Sequence, residues 1–159
     1  MKTAHVITVS DGVAAGTRSD TSGPGLVALL KRAGFEATGP EVMPDDEQEI
    51  AEALVTAASR GNDVVVTTGG TGLGPRDVTP QAAASVFDYE VPGIGEAMRR
   101  AGAASTPMTA LSRSMAGVRG TTLIINLPGS PKGATESLEA VVTILDHAIN
   151  LLHGDTAHQ

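Results

Sequence analysis

Short apolar runs alternate along the chain with longer amphipathic ones. His5–Ser10, the run from Asp63 to Thr68 and Thr121–Leu127 are brief and apolar, Phe35–Met43 is brief and more mixed, and Gly, Pro, Ser or Asp bound them. Runs of that length and makeup predict strands. Between them the apolar residues recur at helical spacing. Leu26, Val27, Leu29 and Leu30 form one face of a helix that Ser22-Gly23-Pro24 opens and Gly34 closes. Ile50, Leu54 and Ala57 form the face of a second, which ends at Gly61. Asp46 and Glu49 are spaced as a capping box, with Asp in place of the usual Ser or Thr. Further helices are predicted over about 80–87, 93–101 and 134–153. The last carries Leu138, Val141, Val142, Leu145, Ile149 and Leu152 on one side. Thr79-Pro80 reads as an N-cap and first helical residue. Val13–Asp20 reads as a small polar loop, Thr106–Arg119 shows no clear period, and 155–159 read as a frayed tail.

Strands alternating with helices predict an α/β fold: one domain over residues 1–159, with a doubly wound, mainly parallel sheet and helices on both faces. Ligands of such sheets bind outside the carboxyl ends of the strands. Ser10-Asp11, Asp45-Asp46, Thr68-Gly69-Gly70 and Pro128-Gly129-Ser130 follow the four predicted strands in turn. Every polar or glycine-rich break therefore falls at one edge of the sheet.

The break after Thr68 is the most unusual. Thr68-Gly69-Gly70-Thr71-Gly72-Leu73-Gly74 places four glycines within six residues, and Arg76-Asp77 follows. Glycines let backbone N–H groups approach a ligand closely. A strand, a glycine loop and a helix start are the parts of an anion site. The loop is not a Walker A loop, since no Gly-Lys-Ser/Thr follows. It also lacks the Gly-x-Gly-x-x-Gly dinucleotide spacing.

Composition narrows the partners. The chain has a formal charge of -7, only 2% aromatic residues and no Trp. Those values disfavour nucleic acid and anionic membrane surfaces. The absence of Cys excludes disulfides and thiol chemistry. His5, His147, His153 and His158 show no metal-ligand spacing. No stretch is apolar enough to span a bilayer, and Met1–Val6 enters a strand with no signal-like segment, so a cytoplasmic location is expected. An acidic chain that binds phosphates must supply local positive potential, for which Arg76, Arg113, Lys132 and helix N-termini are the candidates.

Thr68-Gly69-Gly70-Thr71-Gly72 with Arg76-Asp77-Val78-Thr79-Pro80, and Leu127-Pro128-Gly129-Ser130-Pro131-Lys132, resemble the MogA/MoaB family of molybdenum-cofactor biosynthesis proteins. Val9-Ser10-Asp11, Ser22-Gly23-Pro24 and Pro44-Asp45 are similar to further family motifs, so the likeness runs from about residue 5 to 152. The resemblance implies adenylyl transfer from ATP to the terminal phosphate of molybdopterin, with magnesium and release of pyrophosphate. It also implies a homotrimer and hand-over of product to a molybdate insertase. Asp45 and Asp77 match the two acidic positions that the family links to catalysis, and both are the expected metal ligands. Ser10, Asp11, Ser22 and Gly23 are expected on the pterin side. Thr68, Gly69, Gly70, Thr71, Gly72, Arg76, Pro128, Gly129, Ser130 and Lys132 complete the expected substrate contacts, and Ser112-Arg113 resembles a further anion-binding segment.

Plainer roles compete. Asp45, Asp46 or Asp77 can cap a helix, Ser22 can serve ordinary cap chemistry, and Lys132 and Ser112-Arg113 can be solvated. Two other functions share the pattern: a non-catalytic pterin carrier of the MoaB type, and a CinA-like nucleotide pyrophosphatase. The Pro75-Arg76-Asp77-Val78-Thr79 run favours the molybdenum branch over the second.

Overall fold

The structure, a computed structural model, describes residues 1–157. The elements run β1 Thr3–Val9, α1 Asp11–Ala14, α2 Ser22–Arg32, β2 Glu36–Met43, α3 Glu47–Ser59, β3 Val64–Thr68, α4 Thr79–Val86, β4 Tyr89–Glu90, α5 Pro92–Ala103, a 3-10 turn Pro107–Leu111, β5 Ala116–Arg119, β6 Thr122–Leu127 and α6 Pro131–Leu152. They build one six-stranded sheet in the order β2-β1-β3-β6-β5-β4.

Strands β2, β1, β3 and β6 are mutually parallel, while β5 runs antiparallel to β6 and β4 antiparallel to β5. The expected mainly parallel α/β sheet is present, with an antiparallel edge that periodicity did not reveal. The chain leaves β1 toward one side of the sheet for β2, then returns to the other side for β3. That reversal makes the gap beyond the ends of β1 and β3 the topological switch point, where open sheets place ligands.

Side-chain alternation divides the core between the two faces. Ala4, Val6, Val64, Val66, Leu123 and Ile125 pack under α2, α5 and α6. Ile7, Val9, Val65 and Ile124 pack under α3 and α4. The helices therefore cover both faces, as expected.

Local boundaries differ from the sequence reading in three places. Helix α6 begins at Pro131, ahead of the expected start, because Ser130 caps it and Pro131 suits the first position. Residues 11–14 of the expected loop form the short α1, capped by Ser10. Thr79 does not cap α4: Val78 occupies the N-cap without a side-chain bond. The buried Thr79 hydroxyl instead donates to the Gly69 carbonyl at 2.9 Å. The tail expected at 155–159 is described only to 157, where Ala157 N–H donates to Asp155 at 3.2 Å, and His158 lies outside the described residues.

Candidate active site

A cleft of about 930 Å³ opens beyond the carboxyl ends of β1, β3 and β6. Its walls come from the loops after those strands, the turn after β2, the 3-10 turn and the first turns of α6.

The glycine loop forms the floor. Gly69 and Gly70 have φ of 105° and 70°, the left-handed region that suits glycine. A Cβ on Gly69 would collide with the Val9 carbonyl at the end of β1. One on Gly70 would strike the Thr79 hydroxyl and stand 3.1 Å from Asp45 Oδ1. The loop thus passes so close to β1, α4 and Asp45 that side chains cannot be accommodated.

Most of the expected polar side chains hold this floor in place. Thr68 Oγ1 donates to the Pro128 carbonyl at 2.7 Å, and Ser22 Oγ donates to the Gly129 carbonyl at 2.8 Å. Ser10 caps α1 through Val13 N–H, and Ser130 caps α6 through Gly133 N–H. Arg113 reaches across the loop: its guanidinium donates to the Gly72 carbonyl at 2.8 Å, the Asp77 carbonyl at 2.6 Å and Gln81 at 3.1 Å. Its backbone N–H donates to the Thr71 carbonyl. Ser112 bonds Ser114 within the same segment. Gly23 packs against Thr8 and Asp20, and its N–H donates to Asp20 at 2.9 Å.

With these side chains occupied, backbone amides of the cleft lining are left without partners. Among the described residues the N–H groups of Gly70, Thr71 and Gly72 have no acceptor, nor do those of Gly129, Ser130 and Lys132 at the start of α6. Two sets of amide donors therefore bound one cavity. One belongs to the glycine loop, the other to a 22-residue helix whose N-terminal dipole favours negative charge.

Asp45 and Asp77 line the same cleft. Asp46 caps α3 through Glu49 N–H, which leaves Asp45 to turn inward. Asp45 and Asp11 clasp each other: Asp11 N–H donates to Asp45 Oδ2 at 2.9 Å and Asp45 N–H to Asp11 Oδ1 at 3.0 Å. Asp77 Oδ2 accepts the Gly74 N–H at 2.9 Å. Asp45 Oδ1 and Asp77 Oδ1 have no partner among the described residues. Each carboxylate thus keeps one oxygen on the scaffold and one for a ligand. Burial pushes the Asp45 carboxyl above its ordinary range, and the neighbouring Asp11 and Asp77 charges push the same way. Asp11 is held below its usual range by the Arg76 guanidinium, which grips it at 3.0 and 3.1 Å.

Among the described residues, no three His, Cys, Asp or Glu side chains are grouped to hold a metal ion. A magnesium ion commonly takes only one or two protein carboxylates and completes its shell with water and substrate phosphates. The free oxygens of Asp45 and Asp77, one on a carboxylate that gains from a nearby cation, fit an ion of that kind.

The family described as "probable molybdopterin binding domain" matches residues 5–147. The chain belongs to this family. It is 37% identical over 163 residues to molybdopterin adenylyltransferase of Helicobacter pylori, covering 98% of this chain and 91% of that one. It is 39% identical over 150 residues to a molybdenum cofactor biosynthesis bifunctional protein of Chlorobaculum tepidum, covering 94% of this chain. It spans about half the length of that relative, 48%. The crystal structure of the molybdopterin biosynthesis enzyme MoaB from Thermus thermophilus superimposes with a TM-score of 0.90 at 49% identity, covering 97% of this chain and 98% of that one. The family and the α/β fold expected from the motifs are thereby established.

Arg18, Thr8, Asp20 and Glu136 are among the cleft residues that escaped the sequence reading. Arg18 lines the cleft with no ion-pair partner among the described residues. Thr8 and Asp20 join β1 to the start of α2 through a 2.8 Å bond. Glu136 reaches the cleft from the second turn of α6. Asp20 had a local signal, an acidic residue three positions before Gly23, whereas Arg18 and Glu136 had none.

Proposed function

We propose that the chain transfers the adenylyl group of ATP to the terminal phosphate of molybdopterin. The observation that carries the reading is the opposition of two amide-lined anion sites to two half-free carboxylates in one cleft. Two polyanionic substrates need two such sites, and simple binding of a polyanion gains nothing from Asp45 and Asp77 without a cation. Relatives named molybdopterin adenylyltransferase support the same reading.

In this reaction an oxygen of the pterin phosphate attacks the α-phosphorus of ATP. The new P–O bond forms as the bond to the β-phosphate bridging oxygen breaks, and pyrophosphate leaves. The nucleophile is already ionised at neutral pH, so no general base is required. The enzyme's work is in-line positioning and charge stabilisation. Gly70, Thr71 and Gly72 donate backbone N–H groups to one phosphate chain, and Gly129, Ser130 and Lys132 to the other. Arg76, Arg113, Thr68 and Ser22 keep the two donor sets in register. Asp45 and Asp77 would hold magnesium, which when bound would neutralise phosphate charge.

The chain acts as a homotrimer, and its product passes to a molybdate insertase. A longer relative named bifunctional supports a coupled downstream activity. No helix among the described residues is long and apolar enough to cross a membrane.

Incubation with molybdopterin, ATP and magnesium should yield adenylylated pterin and pyrophosphate in equal amounts. AMP without adenylylated pterin would identify a pyrophosphatase. Binding without turnover would identify a carrier. Light scattering should give three times the chain mass; a monomer mass refutes the trimer.

A further inference from the structure

The cleft is chemically uneven, and one wall suits no phosphate. Glu136 stands on α6 one turn beyond the free amides of its start, and it lines the cleft. Its Oε1 accepts the Ser105 hydroxyl at 2.8 Å and lies 3.8 Å from Lys132 Nζ. Its Oε2 has no partner among the described residues. A carboxylate repels phosphate and only accepts hydrogen bonds. Met108 and Leu111 of the 3-10 turn line the same cleft, as does Leu73 of the glycine loop. These three are 63%, 52% and 66% exposed. Apolar faces with one fixed acceptor are the makeup of a site for a flat, donor-edged ring.

We propose that Glu136 is a specificity-determining residue that accepts the paired N–H donors of a 2-amino-4-oxopyrimidine edge, with Leu73, Met108 and Leu111 packing on the ring. The inference rests on the proposed function and assigns the pterin ring to this wall. A pterin presents a ring N–H and an exocyclic NH₂ side by side, which a carboxylate accepts together. Adenine offers an exocyclic NH₂ beside an unprotonated ring nitrogen, which a carboxylate repels. The wall thus separates the two substrates by ring chemistry, where phosphate contacts do not. Ser105 orients the carboxylate, and Lys132 Nζ stands 3.8 Å from the same oxygen.

The test compares wild type with Glu136→Gln, which keeps size and shape but replaces one acceptor with a donor. Titrations would use molybdopterin, an analogue lacking the 2-amino group, and ATP with magnesium, with a melting curve for each protein. Wild type should prefer molybdopterin to the analogue by about tenfold or more. Glu136→Gln should lose that preference while ATP affinity stays within about twofold and the melting curve is unchanged. Equal loss for all ligands, or a preference that survives, overturns the assignment. If wild type binds no molybdopterin, the proposed function fails and this inference with it. If wild type binds both pterins equally, only the inference fails.

Discussion

Gly70→Ala offers a test of the loop with a magnitude that the structure supplies. Gly70 sits at φ 70°, where a side chain costs about 1–2 kcal/mol. The new Cβ would also strike the Thr79 hydroxyl, which is fully buried and bonded to the Gly69 carbonyl. Displacing that hydroxyl leaves buried groups unpaired, at a cost of about 1–3 kcal/mol. Together these place the loss near 3 kcal/mol, within the margin by which most domains stay folded. For a chain of this size that lowers the melting temperature by about 6–12 °C. Function should suffer more, because Asp45 Oδ1 stands 3.1 Å from the same Cβ and must retreat with its free oxygen. Calorimetry should show the lower melting point, and titration with magnesium and ATP should show affinity reduced about tenfold or more. Gly25→Ala is the control: Gly25 is exposed in α2 with open space at its Cβ, so the change should stabilise by about 0.5–1 kcal/mol. Wild-type melting and wild-type affinity in Gly70→Ala would refute the close-approach reasoning.

Two further substitutions follow from the site. Asp45 has a raised pKa when folded, so the folded state holds its proton more tightly than the unfolded chain. Stability contributed by Asp45 therefore falls as pH rises from the ordinary carboxylate value of 3.8 through the raised one. Asp45→Asn should melt slightly higher than wild type at pH 7, with the difference vanishing in acid, while turnover is lost; a lower melting point at pH 7 contradicts the desolvated carboxylate. Arg113→Lys keeps the charge but not the fork that reaches the Gly72 and Asp77 carbonyls and Gln81. Affinity for both substrates should drop about tenfold or more by titration, and unchanged affinity would show that charge alone matters.

The parallel half of the fold was legible because β1, β3 and β6 are short runs rich in buried apolar residues and its helices carry regular stripes. Glycines with positive φ mark helix ends at Gly34 and Gly61, where the sequence placed them. The edge was not legible. Tyr89–Glu90 and Ala116–Arg119 are too short for a period, and Gly117 interrupts the second. That segment is shaped by distant partners: Asp88 N–H and Val91 N–H donate to Val118 and Ala116, and Arg99 donates to the Ser114 carbonyl. In the site, residue types were readable but their partners were not. Asp46 competed with Asp45 for the ligand role until its bond from the Glu49 N–H made it the cap that its spacing suggested. Arg113 read as a free cation because its acceptors lie 32 to 41 residues away. Thr79 read as a cap because the glycine loop that captures its hydroxyl folds back by a long-range contact.

The most direct test of the central claim is Asp77→Asn. Asn retains the oxygen that accepts the Gly74 N–H, so the loop keeps its form while the second carboxylate oxygen is lost. Pyrophosphate release from molybdopterin, ATP and magnesium should be measured beside pterin affinity. The account predicts turnover reduced on the order of 100-fold or more, with pterin affinity within about threefold of wild type. Near-normal turnover in Asp77→Asn would contradict it.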